Sequence, residues 1–486
     1  MAMNHRRPAP APPDSEQPSP MSQPPSSTFC AIDFGTSNSA IAIPDRRPDA
    51  AADSMQLVEV EAGYTTMPTA VFHMAEIARR GEPQSYYGRA ALDAYIDGLD
   101  GRLMRSMKSA LGSDLVDQHT DIGGGRSMKY LDVIADYLRH LKVMAERSNN
   151  GAPLKQLVLG RPVFFVDGDP ARDAKAERSL ESAARSVGFQ QIAFQYEPIA
   201  AAFDYERTTT REQIVLVADI GGGTSDFSVV RVGPERIGRL ERKDDILASH
   251  GVHVAGTDFD RGLELAKVLP QLCYKARGPV REAGVEPREV PSAVYFDLAT
   301  WHLINTVYNP QRVAELRSMK GFYGDPVHHQ RLMLAINERL GHELASRAEH
   351  AKIEVADGGQ TSIDLGLVER GLAVVLSEAE ATAALQSDVG QIVEAARQAV
   401  QRAGLRADQV DALYFTGGST GLRMLVASIA AAFPAAAAVT GDRFASVAAG
   451  LGLYAATLYG PGGVIAEQAA FRPAAKKTSD KGKPKR

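Results

Sequence analysis

The chain carries the same short turn twice, and that repeat constrains its fold more than any other feature. The first copy reads Ala31-Ile32-Asp33-Phe34-Gly35-Thr36-Ser37-Asn38-Ser39 and the second Ala218-Asp219-Ile220-Gly221-Gly222-Gly223-Thr224-Ser225-Asp226. Each has an apolar run with one Asp at its end, a glycine turn, Thr-Ser, and a return into an apolar run, Ala40–Ile43 or Phe227–Val230. One such turn alone is an ordinary tight hairpin. Two copies, each with its aspartate, imply a duplicated architecture. Glycine allows positive φ and lets backbone N–H groups approach a phosphate closely, and Thr and Ser hydroxyls add further hydrogen bonds. A carboxylate does not bind phosphate directly, so the aspartates suit magnesium or its water shell. Two facing turns would clamp a polyphosphate.

A third glycine element is Tyr414-Phe415-Thr416-Gly417-Gly418-Ser419-Thr420, an apolar strand ending in a Gly pair before a helical pattern. It offers N–H groups to an anion or nucleotide, or else Ser419 or Thr420 simply caps the helix. No Gly-x-x-x-x-Gly-Lys-Ser/Thr loop and no His-Glu-x-x-His zinc pattern occurs. The neighbouring histidines His250 and His253, and His328 and His329, read as surface or packing residues.

Strand and helix patterns alternate along the chain, which predicts an α/β fold. Strands are expected within Phe29–Ile43, over Leu157–Phe165, within Ile214–Val232 and over Ala412–Thr416. Helices are expected over Asp169–Val187 and Gly421–Phe433. Residues 263–337 read as a mostly helical insert, with Phe296, Leu298, Trp301, Ile304, Val307 and Tyr308 in one pattern. Residues 1–27 are Pro/Ser-rich and predicted disordered, and a basic tail closes the chain. The 486 residues carry a net charge of −5, which gives no reason to expect nucleic-acid binding. Cys30 and Cys273 are the two cysteines, too few for a disulfide framework. With no apolar run of membrane-spanning length and no signal-peptide pattern, a cytoplasmic location is expected.

Together these elements resemble the nucleotide-binding region of the seventy-kilodalton heat-shock chaperones (the DnaK-like domain). Asp33–Ser37 and Asp219–Asp226 resemble its two phosphate motifs, and Thr416–Thr420 its adenosine motif. Glu197-Pro198-Ile199-Ala200-Ala201-Ala202 resembles its connecting segment. Thr65–Thr69, Lys108–Gly112, Gly256–Asp260 and Glu349–Glu354 resemble further family segments. The resemblance spans about Phe29 to Tyr459 and is closest to the short bacterial YegD-type members.

It implies a duplicated actin-like (ribonuclease H-like) fold, with two lobes around a nucleotide cleft, each carrying a smaller outer subdomain. The implied boundaries are 28–212 for the first lobe, with outer part about 67–149, and 213–440 for the second, with a helical outer part about 254–359. A C-terminal helix at 441–462 returns to the first lobe, and a tail follows at 463–486. The implied cofactors are ATP or ADP and Mg2+. Asp33, Asp219 and Asp226 would hold the metal and its waters. Thr36, Ser37, Gly222, Gly223 and Thr224 would bind phosphates. Glu349 and Lys352 would flank the adenosine, and Gly417, Gly418 and Ser419 would close over it, with Gly35, Asn38, Gly221 and Gly256 also at the nucleotide. Lys108, Glu197, Asp219 and Thr224 would carry catalysis, Lys108 beside the transferred phosphoryl group and Glu197 orienting water.

Several family positions differ. Ala356 replaces a hydroxyl residue, Phe444-Ala445-Ser446-Val447 replaces a carboxylate-bearing segment, and Asn38 replaces an aromatic or Thr. The stretch after Tyr459 reads as a tail, so the chaperones' peptide clamp is not expected. The expected activity is a slow ATPase that acts as a conformational switch for a protein partner, which the 263–337 insert would contact. A nucleotide-dependent scaffold without hydrolysis and a small-molecule kinase are the competing readings.

Overall fold

Alternation along Phe29–Phe34 sends Cys30, Ile32 and Phe34 into one apolar cluster and Phe29 and Ala31 into another, as a strand buried on both faces requires. The computed structural model describes residues 28–463 apart from 48, 51–53, 77–83, 167, 281–285, 444 and 462. The arm at 1–27, the tail after residue 463 and Phe444 lie outside the described residues.

Two mixed sheets organise the chain. In the first, Gln191–Tyr196, Gln156–Arg161, Phe29–Phe34, Asn38–Pro44 and Met55–Leu57 lie side by side, with Thr66–Pro68 also on Asn38–Pro44. In the second, the order is Ala437–Thr440, Ala412–Thr416, Gln213–Ile220, Ser225–Val232 and Ile246–Val252. The strand before each turn therefore sits mid-sheet. It is antiparallel to the strand after the turn and parallel to a later one.

Helices Tyr130–Ser148 and Pro170–Ser186 close one face of the first sheet. Helices Glu197–Glu206 and Ser446–Tyr459 fill the apolar layer shared by the two sheets. They cross so closely that a Cβ on Gly450 would lie 1.9 Å from the Ala200 carbonyl oxygen, which leaves room only for glycine.

Three expectations are corrected. The strand predicted over Leu157–Phe165 spans Gln156–Arg161. Pro162 has no N–H for a ladder, and Arg161 turns to Asp173 and Glu177. The pattern from Phe296 to Tyr308 is not one helix but two short ones, Ala293–Leu298 and Ile304–Val307, with Trp301 in the turn between them. The helix after the Gly pair starts at Arg423, following a 3-10 turn at Gly418–Gly421, and neither Ser419 nor Thr420 caps it. The insert is helical as expected, adding Pro310–Ser318 and Pro326–Asn337. Around Phe72 a small three-stranded sheet, Ala70–Met74, Ser85–Tyr87 and Gly101–Arg105, packs on helix Gly88–Ile96.

Candidate functional site

The two turns face each other. A Cβ on Gly222 would lie 3.2 Å from the Ser37 hydroxyl oxygen. The first turn is tight: a Cβ on Gly35 would meet the Asn38 carbonyl oxygen at 2.3 Å. Thr69 pins it, donating its hydroxyl to Gly35 O (2.8 Å) and its N–H to Ser37 O (2.8 Å). The second turn is held from its own side. Thr257 donates both N–H and hydroxyl to Gly222 O, each at 2.8 Å, and Ser419 Oγ donates to Gly221 O at 2.7 Å. Gly223 has open space where a Cβ would stand, as a backbone meant to approach a phosphate needs.

Between the turns lies a polar chamber of about 140 Å³. Asp33, Gly35, Thr36, Ser37, Asn38, Lys108, Glu197, Asp219, Gly221, Thr224, Asp226, Gly417 and Gly418 all line it. Most of the predicted site therefore converges from five separate stretches of chain. Lys108 is buried on a short 3-10 turn at Met107–Ala110 and donates to Glu197 Oε1 at 2.5 Å. Glu197 is the first residue of its helix, followed by Pro198, a position where a missing N–H costs nothing. Behind Glu197, a Cβ on Gly160 would crowd its carboxylate at 3.1 Å. The Thr224 hydroxyl donates to Asp226 Oδ2 at 2.8 Å.

The chamber is over-supplied with carboxylates. Burial, then Glu197 and Asp219, push Asp33 up to about 8 against the pull of Lys108. Burial, Asp226 and Glu197 push Asp219 up to about 7, again against Lys108. Burial also raises Asp226, although its bond from Thr224 opposes the shift. Burial works against the Lys108 ammonium, but Glu197, Asp33 and Asp219 outweigh it and raise its pKa.

A divalent cation would relieve this crowding. Among the described residues no group of three or more His, Cys, Asp or Glu converges tightly enough to cage a metal. The carboxylates of Asp33, Asp219 and Asp226 suit magnesium, which keeps waters and phosphate oxygens as ligands and needs one or two carboxylates.

A second chamber, about 700 Å³, opens from the other side of the turns. Ser37, Gly222, Gly223 and Glu349 line it, together with Asp258, Asp260 and Arg105. A third, about 390 Å³, reaches Glu197, Asp219, Thr224 and Asp226 from behind, past Phe164, His250 and His253. Gly256, Lys352 and Ser419 line none of the three. Lys352 pairs with Asp260 at 2.6 Å, and Ser419 packs where a Gly256 Cβ would be.

Thr66 and Arg443 line the same chamber; Thr66 lies in the Thr65–Thr69 segment that carried the resemblance but was given no site role, and Arg443 was not singled out. Arg443 makes no ion pair among the described residues. Its only sequence signal was its place beside the altered Phe444–Val447 segment. Of the histidines, His329 is a packing residue, buried with Nε2 3.0 Å from Leu316 O.

No helix among the described residues is long and apolar enough to cross a membrane. The family model described as Hsp70 protein matches residues 102–267, a stretch holding Lys108, Glu197 and the whole second turn. Over that stretch the chain is similar to a family of nucleotide-binding, ATP-hydrolysing chaperones.

Proposed function

We propose that this chain is a magnesium-dependent, slow ATPase of duplicated actin-like architecture, in which two lobes grip ATP and pass its hydrolysis to a cytoplasmic protein partner as a change of shape. The observation that carries the reading is the convergence of both Asp/Gly turns, Lys108 and Glu197 on one buried polar chamber. The equal order of the two sheets supports duplicated lobes, and the matched stretch supports the ATPase class.

In this reading Ser37, Thr36, Gly222, Gly223 and Thr224 bind the phosphates, while Gly256, Glu349, Lys352 and Gly417–Ser419 flank the nucleoside. Asp33, Asp219 and Asp226 orient the waters of a magnesium ion, which when bound supplies positive charge to the phosphate oxygens. Lys108 is already desolvated and fixed, so its charge stabilises the transferred phosphoryl group without reorganisation. Glu197, held at a helix start by Lys108 and Gly160, accepts from the attacking water. The protons that burial keeps on Asp33 and Asp219 leave when positive charge enters.

The test is paired. Lys108→Ala is expected to bind ATP within a modest factor of the unmodified protein and to hydrolyse it about 10²–10³ more slowly in single turnover. Asp219→Ala is expected to lose magnesium-dependent binding as well. Unmodified hydrolysis in Lys108→Ala removes the lysine from catalysis. A melting temperature unmoved by saturating magnesium-ATP removes the nucleotide reading altogether.

A further inference from the structure

The back chamber of about 390 Å³ shares walls with the polar chamber between the turns. Glu197, Asp219, Thr224 and Asp226 line both, so the two cavities abut at the groups that would surround the transferred phosphoryl group. The front is crowded. The turns approach until a Cβ on Gly222 would lie 3.2 Å from the Ser37 hydroxyl oxygen. In the nucleotide reading the front also holds the rest of the nucleotide, from the turns to Glu349 and Gly417. A phosphate cut from ATP then has ADP between itself and the front.

Behind the shared walls the lining changes in kind. Strands Ser225–Val232 and Ile246–Val252 pair with Asp226 opposite Gly251 and Ser228 opposite Ser249. Residues two apart on a strand share a face, so the carboxylate and the two hydroxyls form a row along the chamber floor. Gly251 keeps the row open at the junction, because a Cβ there would collide with the Asp226 carboxylate. Ser228 Oγ donates to Ser249 Oγ at 3.3 Å, and His250 and His253 also line the chamber. The roof is the loop 162–165. Arg161 holds it by donating to Pro162 O at 3.1 Å and Val163 O at 3.3 Å, and Asp173 holds it by accepting from Phe165 N at 2.6 Å. Phe164 is 53% exposed, so this wall of the chamber reaches the surface.

The lining suits a passage more than a store. Among the described residues no lysine or arginine lines it. Hydroxyl and imidazole groups offer hydrogen bonds to phosphate oxygens, and no fixed cation holds the ion back. A route must bind what it carries weakly enough to let it go. The carboxylates at the junction attract magnesium and repel a freed anion.

We propose that the back chamber is the exit for inorganic phosphate. After hydrolysis the ion passes Thr224 and Asp226, follows the hydroxyls of Ser228 and Ser249, and reaches the surface beside Phe164 while ADP stays in the front. The proposal rests on the ATPase reading above and adds the path by which one product leaves. The step before it is balanced: the water oxygen bonds to phosphorus, the bond from phosphorus to the ADP oxygen breaks, and the water's proton passes to Glu197.

The experiment narrows the path and leaves the shared walls alone. Ser249 lies within a strand, where valine and phenylalanine are well accommodated. Full-length Ser249→Val and Ser249→Phe hydrolyse magnesium-ATP in heavy-oxygen water, and mass spectrometry counts the water oxygens in the released phosphate. Hydrolysis without reversal adds a single oxygen. Each reversal before release allows another, so the count reads how long phosphate stays, even where hydrolysis limits turnover. In Ser249→Phe the share of phosphate with several water oxygens is expected to rise at least about threefold, and in Ser249→Val by less. The single-turnover hydrolysis rate and the calorimetric affinity for magnesium-ADP are expected to stay within about twofold. The affinity of the ADP complex for inorganic phosphate is expected to stay as well, because a narrower path slows entry and exit alike. Ser249→Val carries the test if phenylalanine overfills the chamber. Unchanged oxygen counts send phosphate out by another way. A rise matched by an equal loss of ADP or phosphate affinity makes Ser249 part of the binding site and refutes the exit. If the unmodified chain does not bind magnesium-ADP or hydrolyse ATP, the ATPase reading fails and this path with it; if it does both and the counts do not move, the path alone fails.

Discussion

The two turns share a register and differ in what stands opposite the aspartate. Asp33 faces Ala40 across its hairpin, whereas Asp219 faces Asp226. The first turn has one glycine jammed against Asn38. The second has three, one of them open to the chamber. The first is buttressed by Thr69 from the neighbouring loop, and the second by Thr257 and Ser419. One backbone plan has thus been used for two tasks. The first turn is a fixed wall. The second carries the paired aspartates and the free backbone, so in the proposed reading metal and phosphate handling would concentrate there.

Making the second turn resemble the first is the sharpest way to break this comparison. Asp226→Ala recreates the Asp-opposite-Ala arrangement and frees the Thr224 hydroxyl. Affinity for magnesium-ATP is expected to fall by about 10–100-fold, the usual cost of losing an orienting group at a metal, while the empty protein melts higher. Isothermal titration with and without magnesium, beside a thermal melt, checks both halves. An unchanged magnesium dependence would make the two turns equivalent.

The charge surplus also predicts a pH effect in the empty protein. Asp33 at about 8 and Asp219 at about 7 are raised above the unfolded value near 4. Between those limits the folded state holds more protons than the unfolded one, so stability falls as pH rises through the window. A drop of at least about 2 °C in melting temperature between pH 5 and 8 is expected. It should shrink in Asp219→Asn, and magnesium-ATP should reverse it. A melt that rises over the same range would contradict the buried-acid picture.

The smallest effect separates the glycines. Gly35→Ala forces a Cβ into Asn38 O and is expected to cost about 1–3 kcal/mol, read from chemical denaturation. Gly223→Ala meets no neighbour and is expected to stay within about 0.5 kcal/mol while weakening tripolyphosphate binding. Equal stability losses would erase the distinction between wall and binding loop.

These turns were legible in the sequence because their information is local: an apolar strand, an acid, glycines and a returning strand lie within a dozen residues. Strand Ala412–Thr416 was legible for the same reason. The break at Trp301 was not. Its apolar spacing fits one helix, but Arg105 and Tyr95, about two hundred residues earlier, and His342 hold the indole in a turn. The pairing of Lys108 with Glu197 was reachable through family resemblance but not through spacing.

The crossing of helices Glu197–Glu206 and Ser446–Tyr459 bears on how firmly Glu197 is held. At Gly450 the backbones are in contact, a Cβ there lying 1.9 Å from the Ala200 carbonyl oxygen, so neither helix can slide along the other without a clash. Glu197 lies one helical turn from Ala200. The crossing is an anvil under the carboxylate that Lys108 grips.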